Sequence, residues 1–399
     1  MSQKSMTSRI AILGSGEVGS TIAYSLILNP VAGEILLVDP KEEVRDAQVQ
    51  DLSDATFHGN TSTQVRAGTH KEAGQCDIVV ITAGAAQKKG ESRTDLVGRN
   101  LKILSSAIDD MKPFREDTII VLVSNPVDIL TYFAQKFSGL PKHQVIGSGT
   151  FLDSARLRGI LAQKCGVAAS SIDAYVLGEH GDSQMVIGGV PLELALPDAS
   201  IDKAAIAEDT KKKAAAIMES KGATAYGIGG VTSSICKSIL FDQCNIRPIS
   251  HYQDDMNVCL SMPVIIGRKG IVRQIPLKLN DGEKKELEQS AKSLREIIDD
   301  VEKEQSKEDG LIDPTQHYQY LLRCPHVPPD TPSTFVSKSC GYDSCTTIQQ
   351  QFDSAHTRHW VSHYGQDMYL DHSTPYKDHT CMDGWRDGRT FWRNITDLP

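Results

Sequence analysis

His180, Asp153 and Arg156 are residue types that could bind and protonate a small carbonyl compound bearing a carboxylate. His180 occupies a short segment flanked by Gly178 and Gly181, which can carry an imidazole to a cleft, and imidazole exchanges protons near neutral pH. Arg156 follows Asp153 by three residues, so the two share a helix face, and a guanidinium can clamp a carboxylate bidentately. Asp153 and Arg156 could instead form an ordinary surface ion pair, and His180 could be a hydrogen-bonded loop histidine.

A glycine-rich segment near the N-terminus has the pattern of a dinucleotide-binding turn. Gly14-Ser15-Gly16-Glu17-Val18-Gly19 follows a strand-like run and precedes a helical pattern. The first glycine permits a tight turn, the second lets a pyrophosphate approach the backbone, and the third lets helix and strand pack closely. Asp39 ends the next strand, where a carboxylate can accept from a ribose hydroxyl and would repel a 2′-phosphate. The pattern indicates NAD rather than NADP; the alternative is a plain turn with Asp39 capping the next helix.

Two more polar residues follow a loop or a strand-like run. Arg93 comes directly after a polar loop containing Gly90, so it could reach a substrate carbonyl when that loop closes; taken alone, it is a solvated charge. Asn125 precedes Pro126, where its amide could hydrogen-bond near the nicotinamide and the substrate. Asn125 and Pro126 could equally do no more than start a helix.

Positioning these side chains requires a scaffold, and the sequence indicates alternating strands and helices. Four apolar runs rich in Val and Ile have strand length: Arg9–Leu13, Glu34–Val38, Asp77–Thr82 and Thr118–Ser124. Helical patterns such as Val18–Leu28 and Thr94–Met111 separate them. The alternation predicts an α/β fold with a parallel sheet and crossover helices. The strand pattern stops near residue 147, and a helical pattern at Glu283–Glu304 closes this body of the chain.

The composition excludes several classes of protein. The 399 residues include 42 Lys and Arg against 51 Asp and Glu, a net charge of −9 without a basic run, so nucleic acid is not an expected partner. No apolar stretch is long enough to span a membrane, and the polar N-terminus, 1–8, has no secretory pattern. Nine cysteines lack a disulfide-framework spacing, which favours a reducing cytoplasm.

The last 93 residues, 307–399, differ in composition from the body. They contain all three Trp, no Glu after residue 309 and one Ala in that stretch, Ala355, so helices are not expected. Leu, Ile, Val and Phe account for 14 of the 90 residues from Gly310 onward, below the level that supports a packed core. We expect this C-terminal tail to be disordered.

Three polar clusters in the body together resemble those of the lactate/malate dehydrogenase family. They are Gly84-Ala85-Ala86-Gln87-Lys88-Lys89-Gly90-Glu91-Ser92-Arg93, Ser124-Asn125-Pro126-Val127-Asp128, and Leu152-Asp153-Ser154-Ala155-Arg156 with Gly178-Glu179-His180-Gly181-Asp182. The resemblance covers residues 9 to 304. It implies a Rossmann NAD-binding domain at 9–147 and a mixed α/β substrate domain at 148–306. It also implies a homotetramer or homodimer.

The resemblance also implies roles for single residues. His180 would be the general acid and base, oriented by Asp153, with Arg156 holding the substrate carboxylate and Arg93 polarising the carbonyl. The remaining family positions would contact cofactor or substrate: Gly14, Gly16, Glu17, Val18, Gly19, Asp39, Gly84 and Ile228 for NAD, Thr224 for substrate, and Asn125 for both. No metal is implied.

Gln87 bears on the substrate within this family. Malate dehydrogenases typically have an Arg at the matching position, which binds the second carboxylate of oxaloacetate. A neutral Gln suits a methyl group, so the resemblance favours pyruvate and lactate over malate or another 2-hydroxy acid. The alternative is a polar loop residue without consequence.

Two features depart from the family pattern. After Ser183 only Gln184-Met185-Val186 precede Ile187-Gly188, where relatives have a longer stretch, and this shortening could misplace the His180 imidazole. A catalytically impaired NAD-binding or structural homologue is therefore an alternative. The tail residues Cys340, Cys345 and Cys381, with three nearby histidines, suggest zinc but fit no familiar finger spacing.

Overall fold

The computed structural model describes residues 7–58, 62–85, 93–181, 183–188, 203–222 and 224–310, with four strands between 358 and 394. Residues up to Gly310 form one compact unit and residues from Leu311 another.

The first half of the body alternates strands and helices, as the apolar runs predict. Its strands are β1 Arg9–Leu13, β2 Glu34–Val38, β3 Gln64–Ala67, β4 Ile78–Ile81, β5 Ile119–Leu122 and β6 Val145–Gly147. Its helices are α1 Glu17–Leu28, α2 Glu42–His58, α3 His70–Ala73, α4 Arg93–Met111 and α5 Val127–Ser138. The strands pair in parallel in the order 3-2-1-4-5-6, which is the Rossmann order. The predicted α/β fold is confirmed.

The second half continues the same sheet. Its elements are α6 Phe151–Cys165, β7 Ala174–Leu177, β8 Met185–Gly188, α7 Lys203–Lys221, α8 Ala225–Leu240, β9 Asn245–Gln253, β10 Val258–Gly267, β11 Gly270–Gln274 and α9 Asp281–Gly310. Strands β9, β10 and β11 extend the sheet beyond β6, where Gly147 pairs antiparallel with Ser250 of β9. Strands β7 and β8 form a separate antiparallel pair.

Alternate residues of each central strand pack on opposite faces of the sheet, as the pleat requires. In β1, Ala11 and Leu13 join the buried cluster that includes α4, α5 and α9. Ile10 and Ile12 join the cluster that includes α1 and α8. The central strands are buried on both faces, which explains why they read as continuous apolar runs.

The described part of the C-terminal tail is β-structure. Strands β12 Arg358–His363, β13 Gln366–Asp371, β14 Thr380–Arg386 and β15 Arg389–Asn394 form an antiparallel sheet in chain order. The expected disorder of the tail as a whole stays a prediction. The rest of 311–399, including the Cys340 and Cys345 positions, lies outside the described residues. Within the described residues no helix combines the length and apolarity that crossing a bilayer needs.

Candidate active site

The glycine-rich turn between β1 and α1 is built for close approach. Gly14 has φ +96°, and a Cβ there would lie 2.8 Å from Thr82 Oγ1. A Cβ on Gly19 would lie 1.9 Å from the carbonyl oxygen of Gly14, so only glycine lets the helix and strand pack this closely. A Cβ on Gly16 would meet no atom within 4 Å. The turn is thus crowded on its protein side at Gly14 and Gly19 and open at Gly16, where a phosphate could approach the backbone.

The start of α1 presents backbone donors rather than a side-chain cap. Gly16 is the N-cap and has no side chain to accept from the N–H groups of the first turn, which suits an anion at a helix N-terminus. Glu17 points outward and pairs with Lys221 Nζ at 3.6 Å. Val18 packs against the buried cluster beneath the helix.

Asp39 joins the end of β2 to the glycine-rich turn. Its Oδ2 accepts from the backbone N–H of Ser15 at 2.8 Å, and its Oδ1 accepts from that of Lys41 at 2.9 Å. The carboxylate therefore caps the turn before α2 and also faces the cofactor loop. A carboxylate offers about four acceptor positions, so two remain for ribose hydroxyls. The open space at Gly16 and the two remaining acceptor positions of Asp39 fit a dinucleotide.

Asn100 of α4 joins two predicted contact regions, and sequence reasoning missed it. Its side chain accepts from the Ala85 N–H at 2.8 Å and donates to the Asn125 carbonyl at 2.8 Å. A Cβ on Gly84 would lie 3.6 Å from the Asn100 amide, so Gly84 and Asn125 are held side by side. Asn125 itself is exposed, and Pro126 after it is the N-cap of α5. The helix-start interpretation is thus correct without excluding a role for the Asn125 amide.

The loop between Ala85 and α4 lies largely outside the described residues. Gln87 belongs to that part of the chain. Arg93 begins α4, but its side chain is also outside the described part, so its predicted contact with a substrate stays a prediction.

Asp153 links His180 and Arg156 directly. Its Oδ2 lies 2.6 Å from His180 Nδ1, and its Oδ1 accepts from Arg156 at 2.9 Å. The Asp153 and Arg156 side chains are 4% and 8% exposed, whereas that of His180 is 29% exposed. The surface ion-pair interpretation of Asp153 and Arg156 is therefore wrong. Within the described residues His180 Nε2 has no hydrogen-bond partner, so it can face a bound substrate.

The surroundings of His180 and Asp153 favour the charged form of both side chains. Burial works to lower the pKa of His180, but the hydrogen bond and charge of Asp153, aided by Asp128, raise this pKa above its usual value. Burial works to raise the pKa of Asp153, but His180 and Arg156 hold it below its usual value. An imidazolium held by an ionised carboxylate is a competent proton donor near neutral pH.

Three successive backbone N–H groups fix the segment that carries His180, each to a different element. Gly178 donates to the Ser261 carbonyl of β10 at 3.0 Å. Glu179 donates to Ser290 Oγ of α9 at 2.9 Å, and His180 donates to Asp128 Oδ2 of α5 at 2.7 Å. Sequence reasoning missed the roles of Asp128 and Ser290. Asp128 lies in a quoted motif, but nothing in the sequence signals that Ser290, 110 residues after His180, would contact this segment.

The short stretch after Ser183 does not displace the imidazole in this structure. Met185 begins β8, pairs with Leu177 of β7 and is buried. Before it, Ser183 Oγ lies 3.0 Å from Ser290 Oγ. His180 nevertheless lies on Asp153, so the misplacement that the shortening could cause is not observed.

Thr224 and Ile228 lie at the start of α8. Thr224 is the N-cap, but its hydroxyl makes no capping hydrogen bond, which leaves it available to a ligand. Ile228 is partly buried and packs against the cluster that also contains α1. Gly229 explains the close contact of these helices, since a Cβ there would lie 2.7 Å from Thr21 Cγ2.

Comparisons with known proteins agree with this arrangement. The model of the lactate/malate dehydrogenase NAD-binding domain matches residues 8–147, and that of the α/β C-terminal domain matches residues 150–305. L-lactate dehydrogenase A of Rhizopus oryzae is 43% identical over 296 residues, which cover 73% of this chain and 92% of the relative. L-lactate dehydrogenase of Kosmotoga olearia is 39% identical over 310 residues, covering 73% and 96%.

Solved structures give the same result. A lactate dehydrogenase from a Medee basin deep-sea metagenome library superposes with a TM-score of 0.70 at 33% identity, over 74% of this chain and 99% of that one. The minor L-lactate dehydrogenase of Enterococcus mundtii also has a TM-score of 0.70 at 33% identity, over 74% and 98%. The two family models match residues 8–147 and 150–305. The chain therefore belongs to the lactate/malate dehydrogenase family.

Proposed function

We propose that the chain is an NAD-dependent L-lactate dehydrogenase that interconverts pyruvate and L-lactate. The observation that carries the proposal is the buried Asp153, which touches both the proton donor His180 and the carboxylate-binding candidate Arg156. Relatives named L-lactate dehydrogenase, 38% to 43% identical, support it.

Arg156 and His180 act on different groups of the substrate. One guanidinium nitrogen of Arg156 is engaged by Asp153, so the rest of the planar group can bind the pyruvate carboxylate. His180 Nε2 then faces the ketone oxygen and donates its proton as the alkoxide forms. In lactate oxidation the neutral imidazole takes the hydroxyl proton back, and Asp153 keeps Nδ1 protonated in both directions. Arg93, at the start of α4, would polarise the carbonyl when the preceding loop closes.

When bound, NAD accepts the hydride and NADH donates it. We assign the pyrophosphate to Gly14, Gly16 and Gly19 with the backbone of Glu17 and Val18, and the adenosine ribose to Asp39. Gly84, Asn125 and Ile228 would contact the nicotinamide half. The open space at Gly16 and the free acceptor positions of Asp39 support this assignment.

Gln87 favours pyruvate over oxaloacetate in this proposal. A neutral amide provides no counter-charge for a second substrate carboxylate, and desolvating an unpaired charge is costly. Malate dehydrogenase is the alternative within the family, and Thr224 would line the pocket in either case.

We further propose a homotetramer or homodimer acting in the cytoplasm. Phe57 of α2, 85% exposed, and Tyr226 of α8, 76% exposed, are the candidate residues for an interface between subunits. The five cysteines before residue 310 are free thiols, which suits a reducing compartment.

A substrate panel tests the proposal. We expect the full-length chain to oxidise NADH fastest with pyruvate, more slowly with longer 2-keto acids and slowest with oxaloacetate. Faster turnover of oxaloacetate would identify a malate dehydrogenase instead. NADH binding without turnover of any 2-keto acid would identify the catalytically impaired homologue.

A further inference from the structure

Asp128 is a buried carboxylate in contact with the His180 backbone, and the proposed mechanism gives it no task. It lies in the first turn of α5 and is 2% exposed. Its Oδ2 accepts from the His180 backbone N–H at 2.7 Å. Its Oδ1 is buried and faces the hydroxyl of Ser250 in β9, which works to lower the pKa of the carboxyl. One oxygen therefore holds the catalytic segment, and the other faces Ser250.

A carboxylate is an expensive way to accept from one backbone N–H and one serine hydroxyl. Burial raises the pKa of Asp128 to about 6, because a desolvated negative charge is unfavourable. Serine or asparagine oxygens accept the same bond without a charge, as Ser290 does for Glu179 at 2.9 Å. Packing and hydrogen bonding alone therefore do not account for an acid at this position.

The negative charge of Asp128 acts on the imidazole of His180. Asp153 and Arg156 face this ring from α6, Asp128 from α5, and Glu179 precedes it in the chain. The neighbours from α9, β9 and β10 are Ser290, Ser250, Ser261 and Cys259, and they are uncharged, since burial raises the pKa of the Cys259 thiol well above its usual value. Arg156 disfavours the imidazolium. Asp153 pairs with the Arg156 guanidinium and must also stabilise the His180 imidazolium. Asp128 supplies a second negative charge close to the ring.

We propose that Asp128 is a positioning residue for proton transfer, which fixes the His180 backbone and favours the protonated imidazole. The role in the reaction rests on the proposed dehydrogenase function, whereas the effect on the imidazole does not. In pyruvate reduction the proton leaves His180 Nε2 for the substrate oxygen, and Asp128 neither gains nor loses one in that step.

The test is Asp128→Asn in the full-length chain. Asparagine has nearly the same shape, and its carbonyl oxygen can accept the same His180 N–H without the charge. The titration of the His180 ring is followed by NMR in protein labelled with 15N-histidine. The resonance is assigned by its loss in His180→Gln. Asp254→Asn removes an exposed acid, 78% exposed, and serves as the matched control.

We expect the His180 midpoint to fall by about one unit or more in Asp128→Asn and to stay unchanged in Asp254→Asn. The midpoint of the pH profile of kcat/KM for pyruvate should fall by the same amount, with NADH affinity unchanged. A midpoint equal to that of the control overturns the proposal. If the unmodified chain does not turn over pyruvate, the proposed function fails, but the NMR midpoint still decides the role of Asp128.

A second measurement applies if Asp128→Asn does not fold. In the unmodified chain the backbone amide proton of His180 should resonate downfield, as expected for a hydrogen bond to a carboxylate. It should move upfield as Asp128 is protonated near pH 6. An amide resonance that does not change in this range overturns the proposal.

Discussion

His180 Nδ1 lies 2.6 Å from Asp153 Oδ2, even though the chain after Ser183 is short. The contact survives because the His180 segment is fixed from its other side by backbone N–H groups that donate to α5, α9 and β10. The shortening, which could misplace the imidazole, thus leaves this contact in place. What remains to be tested is the chemistry of the contact.

Replacing His180 by Ala should remove most pyruvate reduction, because the forming alkoxide loses its proton donor. We expect kcat/KM to fall by roughly a hundredfold to ten-thousandfold, while NADH binds as before. Steady-state NADH oxidation and NADH fluorescence titration measure the two quantities. His143→Ala, an exposed histidine, is the control. Parent-like turnover in His180→Ala would remove this residue from the mechanism.

Asp153→Asn should move the pH dependence of both directions of the reaction to lower pH. Burial works to lower the pKa of His180, and the Asp153 hydrogen bond and charge raise it above its usual value. Pyruvate reduction needs the protonated ring and declines as pH rises through this pKa, whereas lactate oxidation needs the neutral ring and increases.

Without the Asp153 charge both midpoints should fall by about one to three units, and the limiting rates should also drop because the ring loses its orientation. The measurement is kcat/KM for pyruvate and for L-lactate as a function of pH. Midpoints that stay in place would mean that Asp153 does not set the protonation of His180.

Gln87→Arg should shift preference from pyruvate toward oxaloacetate. The arginine supplies a counter-charge for the second carboxylate and, opposite a methyl group, is itself left buried and unpaired. We expect the ratio of the two kcat/KM values to change by at least about a hundredfold. Gln87→Asn, which keeps a neutral amide, is the matched control. A ratio that changes equally in both variants would show that charge at this position does not select the substrate.

Asp128→Asn should stabilise the fold near neutral pH. The folded-state pKa of Asp128 is raised by burial from 3.8 to about 6, so its ionised form destabilises the fold above that value and the cost disappears below the unfolded pKa. The shift corresponds to about 3 kcal/mol at most. Urea unfolding should show a gain for the variant at about pH 7 that shrinks toward about pH 4. A loss of stability at both would mean that the carboxylate serves the fold.

The sequence predicts the sheet well because its signal is local. The apolar runs Arg9–Leu13 and Glu34–Val38 form strands with those bounds, since strands buried on both faces must be apolar throughout. The contact of Asp153 with Arg156 follows from helix periodicity alone. Helix periodicity does not show that the pair is buried, which depends on β7 and the His180 segment packing over α6.

The missed residues act across long stretches of chain. Asp128, Asn100 and Ser290 are ordinary polar positions of helices in the sequence, and their partners lie 52, 25 and 111 residues away. No local pattern encodes such contacts. The β-sheet of the tail was missed for a different reason, because low apolar content predicts a weak core and says nothing of hairpins between aromatic segments.

Hydride transfer to pyruvate is the central claim, and product analysis tests it most directly. The full-length chain is incubated with pyruvate and NADH carrying deuterium at both C4 positions, and the product is analysed by NMR and chiral chromatography. We predict L-lactate with one deuterium at C2 for each NADH oxidised. Unlabelled lactate, D-lactate, or NADH that remains unoxidised would contradict the assignment.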